Sequence, residues 1–178
     1  TTWVRELKER IIKQSKEEKD YQRGFKQVGD LVEEYLLKRF PDKWEKLPLT
    51  HPTGFDFYDE EFDCFTDIKA CRATEFNNNI FIEYIQNTNN NKLSNHWQIK
   101  MDDDSGYYLF YFDTSEKGFG KWWVFDWREL RKELEGYNKN IKGGYYALGS
   151  VVSASKLCKV SGRLGEEIVG SLNASQEA

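Results

Sequence analysis

The chain has 178 residues and a formal net charge of −4, and 39% of its residues are hydrophobic, 16% aromatic and 31% charged. This length predicts one soluble domain, residues 1–170, followed by a mobile tail at 171–178. No apolar run approaches a membrane span, two histidines are too few for zinc-hydrolase or His-triad chemistry, and three cysteines without a C-x-x-C pair indicate a reducing, cytoplasmic compartment.

The first forty residues are predicted to be helical. Residues 15–18, with the sequence SKEE, resemble a capping box that starts a second helix ending near Arg39. Glu33 lies one turn after Gly29 on the flank of its apolar stripe, and the small glycine is expected to let the helix approach a sheet. We predict that Glu33 reaches that sheet, while the competing interpretation is a solvated surface acid. The stripe consists of Val28, Leu31, Val32, Tyr35 and Leu36.

A β-hairpin is predicted next, from residues 54–58 and 62–70 joined by a charged Asp-Glu-Glu turn. Alternation in the first strand places its two phenylalanines on one side and Asp56 on the other. In the second strand the same alternation places Asp67 and Lys69 together on one face. The hairpin therefore predicts that Asp56 lies beside Asp67.

Two carboxylates held together point to a cation, because they repel each other by a few kcal/mol at an effective dielectric constant of about 20. Mg²⁺, or Mn²⁺, suits this pair, since it binds hard oxygen ligands and retains several waters. Lys69 would lie beside the ion, and the carbonyl oxygen of Ile68 is a further potential ligand. An isolated D-x-K sequence is more often an ordinary strand face, so the prediction depends on the neighbouring residues.

The strand predicted at residues 79–86 contains one acid, Glu83, within an apolar run. This acid is interpreted as an outer ligand, as a partner of Lys69, or as an outward-facing residue. An asparagine-rich loop follows, and Lys100 after it is a candidate for a phosphate contact. Glu83 and Lys100 are therefore weaker candidates for substrate binding.

The last third of the chain is predicted to add another hairpin, a helix and a strand. Aromatic runs at residues 106–113 and 121–126 form the hairpin, in which one of the paired tryptophans should face inward and the other outward. Asp126 caps a helix that Gly136 stops. A strand at 145–152 and a small helix at 164–169 complete a mixed α/β order.

This arrangement resembles the PD-(D/E)XK nuclease superfamily, which has the restriction-endonuclease-like fold. In that family a helix often bearing G-x-x-x-E precedes a hairpin with an Asp and then D/E-x-K, followed by a third strand, a helix and a further strand. Gly29, Glu33, Asp56, Asp67 and Lys69 match this order within a resemblance that spans residues 15–157. It implies an αβββαβ core with a mixed central sheet flanked by helices, plus an extra N-terminal helical region and a hairpin. The chain departs from the pattern with Phe before the first Asp and with Asp in place of the commoner Glu.

The resemblance implies a Mg²⁺-dependent nuclease, with DNA as the expected substrate and a 5′-phosphate and 3′-hydroxyl at the cut. Asp56 and Asp67 would bind the metal, Glu33 would complete the site and Lys69 would assist the attacking water. The alternatives are an RNA-specific nuclease and a non-catalytic nucleic-acid- or protein-binding module, which the net charge of −4 favours. Endonuclease and exonuclease activity both stay open, as does the oligomeric state, a dimer included, and no membrane partner is expected.

Overall fold

The computed structural model describes residues 2–18, 21–52, 54–87, 92–93, 107–135 and 148–164. The α-helices are α1 (Thr2–Glu17), α2 (Tyr21–Arg39), α3 (Trp127–Glu135) and α4 (Ala154–Leu157), and a 3₁₀ helix spans Ala73–Phe76. The strands are β1 (Trp44–Lys46), β2 (Phe57–Asp59), β3 (Cys64–Cys71), β4 (Asn79–Asn87), β5 (Lys92–Leu93), β6 (Tyr107–Asp113), β7 (Lys121–Asp126), β8 (Leu148–Ser153) and β9 (Val160–Arg163).

The two N-terminal helices confirm the helical prediction but correct its internal boundary. Ser15 lies inside α1, where its hydroxyl donates a hydrogen bond to the carbonyl oxygen of Ile11 at 2.9 Å. It therefore bonds back to the preceding turn instead of capping α2, which begins at Tyr21. The predicted end of α2 at Arg39 is confirmed, and every residue of its apolar stripe is buried.

The main sheet is mixed and mostly antiparallel, with the strand order β1-β2-β3-β6-β7-β9. Its parallel pair is β3 with β6, while its other neighbours are antiparallel. A second antiparallel sheet has the order β5-β4-β8. The prediction of a mixed α/β fold with a sheet flanked by helices is thus confirmed in its general form.

Strand β4 is where the chain differs from the predicted strand order. The predicted order makes β4 the third strand of the sheet that contains the β2–β3 hairpin. Strand β4 instead pairs with β5 and β8. Ile80 and Ile82 are 2% and 1% exposed and pack against the face of the main sheet that lies opposite α1 and α2. An alternating apolar pattern is satisfied equally by pairing at a sheet edge and by packing on a sheet face, so it does not distinguish them.

Both faces of the main sheet are covered. On one face, α1 and α2 pack against the main sheet to form the helix-side core, which includes Leu7, Val32, Leu36, Phe57, Ile68, Phe110 and Trp122. On the other face, α3 and the second sheet pack against the main sheet to form the opposite core, which includes Phe55, Ile80, Leu109, Tyr111, Trp123, Leu130 and Val152. Trp122 and Trp123 are consequently both buried, and the prediction that one of them faces outward is wrong.

The last third of the chain contains the predicted β6–β7 hairpin and the predicted cap of α3. The β6–β7 hairpin is confirmed, and Asp126 caps α3 by accepting hydrogen bonds from the backbone N–H groups of Arg128 and Glu129 at 3.0 and 3.4 Å. The small helix at 164–169 and the tail at 171–178 lie outside the described residues, apart from Leu164. In the described part of the chain, no helix combines the length and apolarity that crossing a membrane requires.

Candidate functional site

The candidate site lies where β2 separates from β3. Strand β2 begins at Phe57, which pairs with Thr66, so Asp56 immediately precedes the strand. The backbone N–H of Asp56 donates a hydrogen bond to Oδ1 of Asp67 at 2.9 Å, and its carbonyl oxygen accepts one from the N–H of Leu47 at 2.8 Å. These contacts hold Asp56 against Asp67, as the hairpin predicted.

The local path of the chain at Asp56 differs from the predicted alternation. Phe57 belongs to the helix-side core, whereas Phe55 belongs to the opposite core, where its ring stacks on Tyr107 at a centroid distance of 4.9 Å. The prediction that both phenylalanines share one side is therefore wrong. The reason is that residues 54–56 precede the strand, so the period of two does not apply to them.

Strand β3 shows the predicted alternation. Ile68 is buried in the helix-side core, while Asp67 and Lys69 pair with Leu109 and Tyr111 on the opposite face. The Lys69 Nζ lies 4.0 Å from Oδ2 of Asp67, and its side chain is 40% exposed. The lysine is thus adjacent to the acid and still accessible from solvent.

Glu33 enters the same site from α2. Burial and the negative charge of Asp56 raise the pKa of Glu33 to about 7. Its side chain is 21% exposed, and Oε2 lies 3.9 Å from Nζ of Lys46, whereas the neighbouring Glu34 side chain is 61% exposed. The structure thus favours the prediction that Glu33 reaches the sheet over its interpretation as a solvated surface acid.

The role predicted for Gly29 is wrong. A Cβ atom built at this position meets no other atom within 4 Å, so close helix–sheet packing does not require a glycine there. Glu33 instead reaches the site because it lies on the flank of a stripe whose other members are buried. An alanine at this position would not disturb the packing of α2 against the sheet.

The acids of the site repel one another. Burial raises the pKa of Asp56, and the charge of Asp67 and a hydrogen bond to that residue raise it further, while Lys69 and Lys46 oppose the shift. Asp56 in turn is the charged group that contributes most to the raised pKa of Glu33. Asp56 therefore interacts with both Asp67 and Glu33, which come from two other segments, at a partly buried site.

Two weaker candidates have different outcomes. Glu83 is half-buried on β4. The pKa of Tyr111 is raised mainly by burial, next by the charge of Cys71, and then by the charges of Asp67 and Glu83. The charges of Glu83 on β4 and Asp67 on β3 thus both act on this tyrosine, from strands of different sheets. Lys100 lies outside the described residues.

Asp56 and Asp67 suit Mg²⁺ because this ion needs few protein ligands. Over the residues that the structure describes, no group of three or more His, Cys, Asp or Glu side chains is arranged to hold an ion. Mg²⁺ does not require such a cage, because one or two carboxylates, several waters and a substrate phosphate usually suffice. Asp56 and Asp67 meet that requirement, with Glu33 acting on Asp56, and the mutual repulsion of Asp56 and Asp67 is what a bound cation would relieve. The carbonyl of Ile68 is a candidate by position only.

Sequence reasoning missed Lys46 and Tyr111. Lys46 ends β1, the edge strand, and is 3.9 Å from Glu33, while Tyr111 is the cross-strand partner of Lys69 on β6. No motif marks either residue. The antiparallel β1–β2 and parallel β3–β6 pairings bring them to the site, and those pairings join segments that are distant in the sequence.

Sequence reasoning also placed Asp59 in the charged turn of the hairpin, which is wrong because Asp59 belongs to the strand. Asp59 ends β2 and is completely buried, and its Oδ2 lies 2.8 Å from Nζ of Lys43, which is 2% exposed. The Tyr108 hydroxyl donates a hydrogen bond to the same oxygen, and the N–H groups of Glu61 and Phe62 donate to Oδ1 at 3.0 Å each. Asp59 thus has a structural role at the other end of β2.

Comparisons with protein-family models, with curated proteins and with solved structures found no match for this chain.

Proposed function

We propose that this protein is a Mg²⁺-dependent nuclease, with DNA as its expected substrate, built on a restriction-endonuclease-like fold. One observation carries the proposal: Asp56 lies against Asp67 and also interacts with Glu33, and an accessible lysine lies beside Asp67. The lysine lies 4.0 Å from Asp67, and the pKa of Glu33 is raised to about 7. Such perturbed groups are typical of functional sites.

Each residue has a defined role in this proposal. Asp56 and Asp67 hold the metal, and the hydrogen bond from the Asp56 N–H orients the Asp67 carboxylate. Lys69 orients the attacking water or offsets the charge that develops on the phosphate. Glu33 completes the site from α2, directly or through water.

The ion itself, when bound, would polarise the phosphate and lower the pKa of its bound water. The protein's contribution is to keep the acids close together and partly buried, where charges interact more strongly than in bulk water. Lys46, beside Glu33, limits the repulsion among the acids.

The experiment is hydrolysis of single- and double-stranded DNA and of RNA with Mg²⁺, Mn²⁺ or EDTA. We expect metal-dependent cleavage that leaves a 5′-phosphate, and a rate lowered about 10²–10³-fold or more in Asp67→Asn, Asp56→Asn and Lys69→Met. Asp63→Asn is the matched control, because Asp63 is exposed on the same hairpin and its φ of 49° is one that asparagine tolerates. Cleavage that persists in EDTA, or that the three site variants leave unchanged, contradicts the proposal.

Two other outcomes would assign a different function. Strand binding without turnover, with no Mn²⁺ anomalous peak between Asp56 and Asp67, would identify a non-catalytic binding module, which the net charge of −4 favours. Cleavage of RNA but not DNA would identify an RNA-specific nuclease. A thermal shift with Mn²⁺ in the wild type that Asp67→Asn abolishes would support metal binding independently of turnover.

A further inference from the structure

A second polar site lies at the opposite side of the main sheet from β1. A pocket of about 300 Å³ opens beside β7 and β9, and its lining includes Lys121, Arg163, Ser155, Ser161, Asn78 and Trp123. The charged groups in this lining are both cations, and the remaining polar groups are hydroxyls and an amide. The pocket therefore has the composition of an anion-binding site.

The two cations of the pocket are placed against each other. Lys121 and Arg163 are direct partners in the antiparallel β7–β9 register. Like charges directly opposite on neighbouring strands are destabilising. Neither forms an ion pair with another residue within the described ranges, so a bound anion would relieve this repulsion.

An unsatisfied polar atom gives a second, independent indication of a ligand. The Oδ1 of Asn78 is buried and has no hydrogen-bond partner among the described residues. Buried polar atoms are rarely left unpaired, and the two ends of an amide offer an acceptor and a donor. As it lies, this oxygen is an acceptor and would repel an anion, so Asn78 serves an anion only when its amide is rotated by half a turn and the NH₂ group takes the place of the oxygen.

A phosphate group fits this pocket better than a carboxylate does. The guanidinium of Arg163 offers a planar set of donors that matches phosphate oxygens, and Lys121 adds a point charge. The hydroxyls of Ser155 and Ser161 can donate to the remaining oxygens. This donor set exceeds what the two oxygens of a carboxylate accept.

The pocket is also aligned with the candidate active site. Lys69, Tyr111, Trp123 and Ser161 are successive partners across β3, β6, β7 and β9, so they form one row on the same face of the sheet. Three strand spacings separate the ends of that row, which is about 14 Å. Tyr111 and Trp123, in the middle of that row, are 5% and 4% exposed beneath the second sheet, so a strand that contacts both ends has to pass around that sheet. It therefore spans more than the roughly four nucleotides that a straight path of this length would need at about 3.4 Å per nucleotide.

We infer that this pocket, defined by Lys121, Arg163, Ser155, Ser161 and Asn78, binds a backbone phosphate of a nucleic-acid strand away from the bond that is cut. The assignment of the phosphate to a substrate strand rests on the proposed nuclease function. Phosphate binding by the pocket does not. A free phosphate or mononucleotide offers the same chemistry, and the experiment distinguishes these sources.

The first measurement is the affinity for a fluorescein-labelled DNA oligonucleotide in EDTA, where metal-dependent hydrolysis does not interfere. We expect the double variant Lys121→Gln with Arg163→Gln to bind about tenfold more weakly. The slope of log K against log salt concentration should become shallower by about 1. The matched control is Arg5→Gln with Lys38→Gln, which removes the same charge from exposed positions on α1 and α2. Arg163→Lys, which keeps the charge without the planar donors, should bind with intermediate affinity.

The second measurement is titration of the wild type and the double variant with inorganic phosphate, followed by the fluorescence of Trp123 and its neighbours. Equal strand affinity in the double variant and the control overturns the assignment to a strand. If phosphate binding is also unchanged, the pocket is not an anion site. If the wild type binds DNA without cleaving it and the double variant loses that binding, this inference stands and the proposed function fails.

Discussion

The two ends of the short strand β2 carry the same residue types in opposite states. At its C-terminal end, the carboxylate of Asp59 is completely buried and fully paired with Lys43, the Tyr108 hydroxyl and two backbone N–H groups. Just before its N-terminal end, Asp56 faces other acids, and its pKa is raised. A carboxylate with every acceptor satisfied stabilises the fold, whereas one that faces other carboxylates is available to a cation.

The same difference applies to the lysines. Lys43 is 2% exposed, with Nζ 2.8 Å from Asp59 and 4.1 Å from the centroid of the Phe62 ring. Lys69 is 40% exposed and lies 4.0 Å from Asp67. The buried lysine is fixed by its contacts, while the exposed one keeps donors accessible to a ligand. Partners and burial, rather than residue type, distinguish structural from functional charges here.

The largest expected effect comes from Asp59→Asn. We expect it to lower the free energy of unfolding by about 3 kcal/mol, because the buried Lys43 keeps only the partly exposed Glu61, 3.3 Å away, as a counter-charge. Asp67→Asn should not destabilise the metal-free protein in the same way, since it removes one of several repelling acids. Urea denaturation in EDTA measures both, with Glu60→Gln as an exposed control on the same turn. Equal losses for Asp59→Asn and Asp67→Asn would remove the distinction between the two ends of β2.

A smaller, pH-dependent effect is expected at Glu33. Its pKa is about 7 in the folded protein, against an ordinary value of 4.5, so the stability that it contributes is present below pH 4.5 and lost as the pH rises through 7. Glu33→Gln should therefore be more stable than the wild type at pH 8 by about 1–2 kcal/mol, allowing for partial exposure, and lose that advantage near pH 4.

Denaturation in EDTA at both pH values measures this difference. Glu34→Gln, on the same helix but exposed, should show no comparable dependence on pH. Mg²⁺ should reduce the advantage of Glu33→Gln at pH 8, because the cation favours the charged acid. A difference that is constant with pH would place Glu33 outside the cluster.

The smallest effect is expected at Gly29. Because a Cβ atom there meets nothing within 4 Å, Gly29→Ala should raise the free energy of unfolding by about 0.4–1 kcal/mol through helix propensity and a less flexible unfolded chain. Cleavage of DNA should be unchanged, since Glu33 keeps its position. A variant that loses activity without losing stability would restore a functional role for this glycine.

Local sequence determined much of the framework. Apolar spacing defined the buried stripe of α2, Phe40-Pro41 marked its end at Arg39, and the side chain of Asp126 marked the start of α3. The period of two placed Asp67 and Lys69 on one face of β3 with Ile68 on the other. These features depend on neighbours a few residues apart, so their physical causes are present in the sequence itself.

Only the tertiary structure decided how these parts meet. It placed β4 in a second sheet, buried Asp59 while leaving Asp56 among acids, and brought Glu33 and Lys46 together from α2 and β1. It also set Lys121 opposite Arg163. Burial and strand pairing join residues far apart in the chain, and Asp56 and Asp59 have the same chemistry until those partners are known. The sequence by itself therefore identified the acids and the lysine, and the fold determined which of the acids have their hydrogen bonds satisfied and which lie beside other acids.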